Sequence, residues 1–163
     1  MELRKHLDFK AIFGVIYFLS FAIYLVVGLQ PVEAVHYHIS GLLNIPSIDL
    51  LTDVTSLKMV DHQLETPDTI VGSFSMDNNN TLLIGHSSTV FDNLINVHLG
   101  DEIIYNESYY EIVDMNVLEK SDVDMNEVLA DTDVRTVKIM TCTGDDLGGG
   151  DYTHRFILTA VIK

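Results

Sequence analysis

The chain has 163 residues, with 24 acidic side chains against 9 lysines and arginines, and a formal net charge of −15. A chain of this length holds about one domain and can bury a small hydrophobic core. The acidity excludes a nucleic-acid partner, because phosphate binding needs a basic surface, and the single cysteine excludes an internal disulfide.

The first 40 residues predict a membrane anchor. Residues 1–10 carry a basic flank, and residues 11–32 contain no charged side chain. An apolar run of this length can cross about 30 Å of hydrocarbon as a helix. The basic flank comes first, so the positive-inside rule predicts a cytoplasmic N-terminus (1–10), a transmembrane helix (11–32), a linker (33–40) and a domain (41–163) on the extracellular side of the cell membrane.

A cleaved signal peptide is the alternative interpretation of this segment. Val32-Glu33-Ala34 could serve as a cleavage site, although the apolar run is longer than a usual signal-peptide core. A buried core helix fits less well, because the run has no polar stripe on either side.

Beyond the linker, short apolar runs alternate with turns. The predicted strands are residues 42–45, 81–84, 102–105, 109–113, 134–141 and 155–162. Many short strands at roughly ten-residue spacing indicate an all-β barrel or sandwich.

Two segments between the strands have a predicted structure of their own. A short helix is expected after Thr89, which could cap it together with Asp92, with Phe91, Leu94 and Ile95 on one face. Residues 121–133 could hold another helical turn. Residues 144–151 (GDDLGGGD) are expected to form a mobile loop, since they lack the Lys-Ser/Thr pair of a phosphate-binding loop.

Cys142 is the only thiol of the chain, and it follows a predicted strand. Such a thiol is buried and inert, paired between chains, or free and reactive. Reactivity depends on a nearby cation, and Arg155 begins the predicted strand after the glycine-rich segment. His86 follows another strand next to a glycine, a common place for functional side chains, although a structural histidine is the alternative there.

An acidic segment offers a possible metal site. Asp122, Asp124 and Asn126 are spaced as in the opening of a calcium-binding EF-hand loop. However, Glu127 replaces the required glycine, and Asp133 stands where glutamate is expected. We therefore expect no cofactor, with calcium as a weaker alternative, and no zinc site because the ligand spacing is absent.

Seven short motifs surround the three candidate residues in a fixed order. They are GLLNIPSI (41–48), LLIGH (82–86), Phe91 with Leu94, LGDEI (99–103), YEIV (110–113), KIMTC (138–142) and RFILTA (155–160). In this order, together with a membrane anchor, they resemble the sortase family. Lys138 and Ile139 depart from the threonine and leucine of that family's T-L-x-T-C motif, and the Thr-Cys pair is kept.

The resemblance implies an eight-stranded β-barrel with short helices and a cysteine transpeptidase that acts on an LPXTG-like sorting signal. Cys142 would attack the Thr–Gly carbonyl, His86 would exchange protons with the leaving and incoming amines, and Arg155 would bind the substrate backbone and the oxyanion. Thr141 would line the substrate groove. The acceptor would be an amine of a cell-wall precursor or a pilin lysine.

Two other functions remain open from the sequence. A papain-like cysteine peptidase places its cysteine before its histidine, whereas His86 comes before Cys142 here. A non-catalytic surface β-domain would not require His86, Cys142 and Arg155 to converge.

Overall fold

The computed structural model describes residues 37–60, 63–76 and 79–163. The predicted cytoplasmic segment, the membrane helix, the alternative cleavage site and the first half of the linker (33–36) lie outside the described residues. The last two residues of the predicted linker, 39 and 40, belong to the first strand instead. Among the residues described, none of the helices is both long and apolar enough to cross a membrane.

The domain is built from strands, as the sequence predicts. The strands are β1 (Ile39–Ile45), β2 (Leu50–Ser56), β3 (Met59–Val60), β4 (Gln63–Leu64), β5 (Val71–Phe74), β6 (Asn80–Ile84), β7 (Glu102–Tyr105), β8 (Ser108–Glu119), β9 (Thr136–Gly148) and β10 (Asp151–Ile162). Eight of them close into a barrel in the order β1-β2-β5-β6-β9-β10-β8-β7, and β3 pairs with β4 in a separate small sheet. The barrel confirms the predicted fold class.

The helices of the described residues are short. Three 3-10 helices cover Pro46–Ile48, Leu94–Asn96 and Lys120–Asp122, and the one α-helix, α1, covers Met125–Leu129. The Asp124 carboxylate caps α1 by accepting the Asn126 N–H at 2.8 Å. The further helical turn expected within residues 121–133 is therefore present.

The prediction of a helix that begins after Thr89 is wrong. The chain forms successive turns there, and only Leu94–Asn96 is helical, with 3-10 geometry. The Thr89 hydroxyl donates to the Asp68 carbonyl at 2.7 Å and caps nothing. Phe91 and Leu94 are buried while Ile95 is 54% exposed, so burial of two side chains in the barrel decides the backbone path.

The glycine-rich segment is also different from its prediction. β9 continues to Gly148, β10 begins at Asp151, and Gly149 and Gly150 turn the chain with φ values of 68° and 82°. Two central residues with positive φ are typical of a tight hairpin turn. Residues 144–151 therefore extend a hairpin. The sequence does not predict it, because glycines and aspartates are poor strand formers.

Two apolar clusters lie on opposite faces of the sheet. The larger fills the barrel and includes Ile139 of β9 and Leu158 of β10. The alternate residues point outward, where Leu82, Ile84, Val128 and Ile157 are buried together and Met140 packs against them. Val128 belongs to α1, so this helix covers the outer face of β6, β9 and β10.

Candidate active site

Cys142 and Arg155 lie directly opposite each other in the antiparallel β9–β10 ladder. Directly opposed residues have Cβ atoms about 4.5–5.5 Å apart, with both side chains on the same face. The prediction that a strand ends at Cys142 and another begins at Arg155 is wrong. Both residues lie inside strands, because β9 runs on to Gly148 and β10 begins at Asp151. β10 is flanked by β8 and β9, so Arg155 is not on an edge strand, and its side chain is 16% exposed.

The exit of β6 brings His86 to the same level of the sheet. β6 runs parallel to β9, with Ile84 opposite Met140, so the second residue after each is the histidine in one strand and the cysteine in the other. The chain leaves the ladder after Ile84. The buried Thr141 hydroxyl donates to the Gly85 carbonyl at 2.8 Å and holds this exit against β9.

A tight turn fixes the backbone of His86. Its carbonyl accepts the N–H groups of Thr89 at 3.3 Å and Phe91 at 3.0 Å. A methyl group on Gly85 would lie 2.6 Å from Cγ1 of Val90 and 2.8 Å from the Phe91 ring. Only glycine fits this close approach, which explains the glycine that precedes the candidate acid/base.

One cleft of about 320 Å³ contains the three predicted catalytic residues. It is lined by Met59, Leu64, Thr66, Ile84, Gly85, His86, Met125, Leu129, Met140, Thr141, Cys142, Gly150 and Arg155. Its walls come from the β3–β4 sheet and from α1, and most of the side chains on them are apolar. The cleft therefore offers an apolar surface for aliphatic groups beside a thiol, an imidazole and a guanidinium.

Thr141 borders this cleft but is 6% exposed. Its hydroxyl hydrogen is used by the bond to Gly85. A direct contact between Thr141 and substrate stays a prediction, and the bond that the structure shows supports the position of His86.

The Arg155 guanidinium is held by its own strand. Nη1 donates to the carbonyls of Tyr152 at 3.0 Å and His154 at 2.9 Å, and Nη2 donates to Asp151 Oδ1 at 3.4 Å. Asp151 in turn accepts Lys120 Nζ at 2.9 Å and 2.8 Å. The bond from Lys120 is the main cause that lowers the pKa of Asp151, with smaller contributions from Tyr152 N–H and Arg155.

Lys138 of β9, which departs from the threonine of the family motif, supports the α1 wall of the cleft. Lys138 Nζ donates to the carbonyls of Glu127 at 3.1 Å and Val128 at 2.8 Å. Burial lowers the pKa of Lys138, and the Glu127 carboxylate opposes this effect. A cation near the last turn of a helix is favourable. The signal for this contact in the sequence is that a charged residue, Lys138, shares a face of β9 with Met140.

The acidic segment is arranged differently from a calcium loop. Asp124 accepts both the Asn126 N–H at 2.8 Å and its Nδ2 at 3.1 Å, and Asp122 accepts the Ser121 hydroxyl at 3.2 Å. In the part of the chain that the structure describes, no three His, Cys, Asp or Glu side chains converge to hold a metal.

Comparisons with known proteins agree with one another. The family model described as Sortase domain matches residues 43–163. A lid mutant of sortase A from Corynebacterium diphtheriae is similar with a TM-score of 0.61 and 22% identity, covering 83% of this chain and 75% of that chain. A sortase D5 transpeptidase from Clostridium perfringens gives 0.59 and 25%, covering 80% and 83%.

A third similar structure, sortase C-1 from Actinomyces oris, gives a TM-score of 0.58 and 20% identity, covering 88% of this chain and 79% of that chain. No curated protein matches the chain at a significant level. The similar structures include sortases of types A, C and D, so the likeness in fold does not select one type.

Proposed function

The chain belongs to the sortase family, and on that premise we propose that it cleaves an LPXTG-like sorting signal and transfers the acyl group to an amine. Sortases are cysteine transpeptidases, and this chain has one cysteine. The observation that carries the proposal is the pairing of that cysteine with Arg155 across the β9–β10 ladder. His86 lines the same cleft from the exit of β6.

The first half of the reaction forms a thioester. Cys142, as thiolate, attacks the carbonyl carbon between threonine and glycine of the signal, and Arg155 donates hydrogen bonds to the developing oxyanion. His86, as imidazolium, gives its proton to the glycine nitrogen as the C–N bond breaks. The acyl group is then held on sulfur, and the C-terminal part of the substrate leaves.

The second half transfers the acyl group. An acceptor amine attacks the thioester carbonyl, and neutral His86 takes the proton that the amine loses. The C–S bond breaks, the new amide leaves, and the thiolate and imidazolium are both restored. The reaction needs no cofactor, because each proton is exchanged with the same imidazole.

The cleft supports a signal with aliphatic residues before the scissile bond. Met59, Leu64, Met125, Leu129 and Met140 line it on the α1 and β3–β4 side of Cys142. Burying an aliphatic side chain contributes about 1.5–3 kcal/mol. This contribution would align a Leu-Pro-containing segment without any charged contact.

The proposal includes the location of the enzyme. Residues 11–32 would anchor it in the cell membrane with the domain outside, because the sorting signal and the acceptor both occur at the outer membrane face. The acceptor is an amine of a cell-wall precursor or a lysine of a pilin. The unusual acidity of the chain is compatible with cationic amines and with neither nucleic acids nor polyphosphates.

A mass-spectrometric screen tests the function. The full-length chain in detergent is incubated with a library of sorting-signal peptides and two amines, a glycine-based and a lysine-based acceptor. We expect amide products that contain the acceptor and a thioester on Cys142. Cys142→Ala should abolish both, and His86→Ala should lose about 10²–10⁴-fold in rate.

His98→Ala is the matched control, since His98 is an exposed histidine that does not line the cleft. Hydrolysis without transfer to either amine would instead indicate a cysteine peptidase. Full transfer by Cys142→Ala would refute the mechanism, and the absence of any thioester would favour a non-catalytic surface domain.

A further inference from the structure

Near the turn of the β9–β10 hairpin, Asp151 forms an ion pair that also includes Arg155, the residue proposed to bind the oxyanion. Lys120 follows β8, Asp151 begins β10, and the Asp151 carboxylate lies between Lys120 and Arg155. Both Asp151 oxygens accept Lys120 Nζ, whereas only Oδ1 reaches Arg155 Nη2.

The contact between Asp151 and Arg155 depends on irregular strand geometry. Four residues of regular strand span about 13 Å, with the side chains on one face and well separated. The ladder between β10 and β9 shifts register between Asp151 and Tyr152, and again between Tyr152 and His154. Such bulges re-aim side chains next to active sites, and here they bring the carboxylate back to the guanidinium.

The bonds made by Arg155 leave a defined set of donors. A guanidinium has five N–H groups. Two on Nη1 go to the Tyr152 and His154 carbonyls, and one on Nη2 goes to Asp151. For the Nε–H and the second Nη2–H, the described residues supply no acceptor, and Arg155 lines the cleft that contains Cys142.

Lys120 limits how strongly Asp151 competes for these donors. Without another partner, a carboxylate beside Arg155 would accept hydrogen bonds from more of its N–H groups. It would then compete with a substrate oxyanion for these donors. Two short bonds from Lys120 satisfy that carboxylate, and its bond to Arg155 stays long at 3.4 Å. The pair is half-exposed, so it has little effect on global stability.

We propose that Asp151, held by Lys120, is a positioning residue that orients the Arg155 guanidinium and leaves its two remaining donors for the substrate. The proposal rests on the proposed transpeptidase function. Its structural part, the dependence of the guanidinium on Asp151, can be measured without any substrate.

The substrate-free test is NMR of ¹⁵N-arginine in the full-length chain in detergent. The chain has three arginines, Arg4, Arg135 and Arg155, so three Nε signals are expected, and Arg155→Lys assigns one of them. We expect hindered rotation of the Arg155 guanidinium in the wild type and faster rotation in Asp151→Asn. Unchanged rotation in Asp151→Asn overturns the proposal, whatever the enzyme transfers.

The kinetic test compares carboxylates of the same hairpin. Asp151→Asn should lower kcat about tenfold, less than the 10²–10³-fold loss of an oxyanion donor, with KM unchanged. Asp145→Asn removes the same charge from the hairpin without a contact to Arg155 and should leave kcat unchanged. Asp151→Glu restores a carboxylate and should recover part of the loss. Equal kcat losses for Asp145→Asn and Asp151→Asn overturn the proposal.

Lys120→Met tests whether Asp151 orients the Arg155 guanidinium or only links the hairpin to the end of β8 through Lys120. In this variant Arg155 is the only cation left to Asp151 among the described residues, so kcat should fall below that of Asp151→Asn. Adding Asp151→Asn should raise kcat again. Equal kcat losses in the two single variants and the double variant would indicate that Asp151 only links the hairpin to the end of β8. That result would overturn the proposal. If the wild type shows no transfer, the function fails separately, and the NMR result still decides the positioning.

Discussion

Thr141 Oγ1 donates a 2.8 Å hydrogen bond to the carbonyl oxygen of Gly85, a residue 56 positions earlier in the chain. Thr141 immediately precedes Cys142, and Gly85 immediately precedes His86. One buried bond therefore fixes the backbone before the candidate nucleophile relative to the backbone before its candidate acid/base.

Thr141→Val tests this bond, because valine keeps the shape of threonine and removes the donor. The Gly85 carbonyl would lose this buried partner, which costs about 1–3 kcal/mol in the free energy of unfolding. We expect that loss in urea denaturation and a lower kcat with sorting peptides, because His86 is less well placed. Thr141→Ser keeps the hydroxyl and should retain most of both. Equal behaviour of the valine and serine variants would show that the bond does not matter.

The strands that the sequence predicts well have a local signal. Residues 102–105 match β7, and residues 81–84 match β6 to within one residue, because apolar and β-branched side chains dominate both. β2 was missed because Thr52, Asp53 and Ser56 interrupt its apolar pattern. Its pairing with β1 and β5 forms the strand, and pairing partners are distant in sequence.

The candidate site was also predictable only in part, because some of its contacts depend on how strands and helices pair in the folded chain. Two strands joined by a short connection are commonly neighbours, so a meeting of Cys142 and Arg155 followed from sequence once that adjacency was assumed. The contact of Asp151 with Arg155 depends on two register shifts, and no residue type announces them. The bonds of Lys138 to α1 depend on the helix packing across β9.

Lys138→Met tests whether the α1 wall sets substrate affinity. Lys138 supports the carbonyls of Glu127 and Val128, and the same helix carries Met125 and Leu129 into the cleft. We expect KM for a sorting peptide to rise several-fold with kcat nearly unchanged, because the wall and not the reacting groups is disturbed. A lower kcat with unchanged KM would contradict this role. Lys58→Met is a control outside the cleft.

The pH dependence of stability provides a second measurement on Lys138. Burial lowers its pKa below the usual 10.5, so between the lowered value and 10.5 the unfolded chain binds more protons than the folded one. The contribution of this lysine to the free energy of unfolding therefore increases with pH in that window. Lys138→Met lacks this increase. The difference in stability, wild type minus variant, should become more favourable to the wild type between neutral pH and pH 10, as measured by urea denaturation.

Calcium should have at most a weak effect on activity. The Asp124 carboxylate caps α1, and binding a metal there would break a cap that typically contributes about 1 kcal/mol. We expect transfer rates to be nearly the same with a chelator and with added calcium. A large loss on chelation that calcium restores would show that Asp122, Asp124, Asn126 and Glu127 rearrange into a site.

Arg155→Lys separates the shape of the guanidinium from its charge. Arginine is a planar fork with several donors, whereas lysine is a compact point charge. Arg155 uses both Nη atoms on Tyr152, His154 and Asp151, which a lysine cannot reproduce while also reaching a substrate. We therefore expect Arg155→Lys to lose nearly as much as Arg155→Ala, about 10²–10³-fold in rate.

Transfer rates of both variants decide this, with circular dichroism to check folding. Arg135→Lys is the matched control, because Arg135 is exposed and donates only to the hydroxyls of Ser108 and Tyr110 at 3.5 Å and 3.3 Å among the described residues. The control should keep its rate, since Arg135 lies outside the cleft. Near-normal turnover by Arg155→Lys would mean that positive charge alone is needed and that the fixed orientation of the guanidinium has no function. Wild-type rates in Arg155→Ala would remove Arg155 from the site, although it faces Cys142 across the ladder.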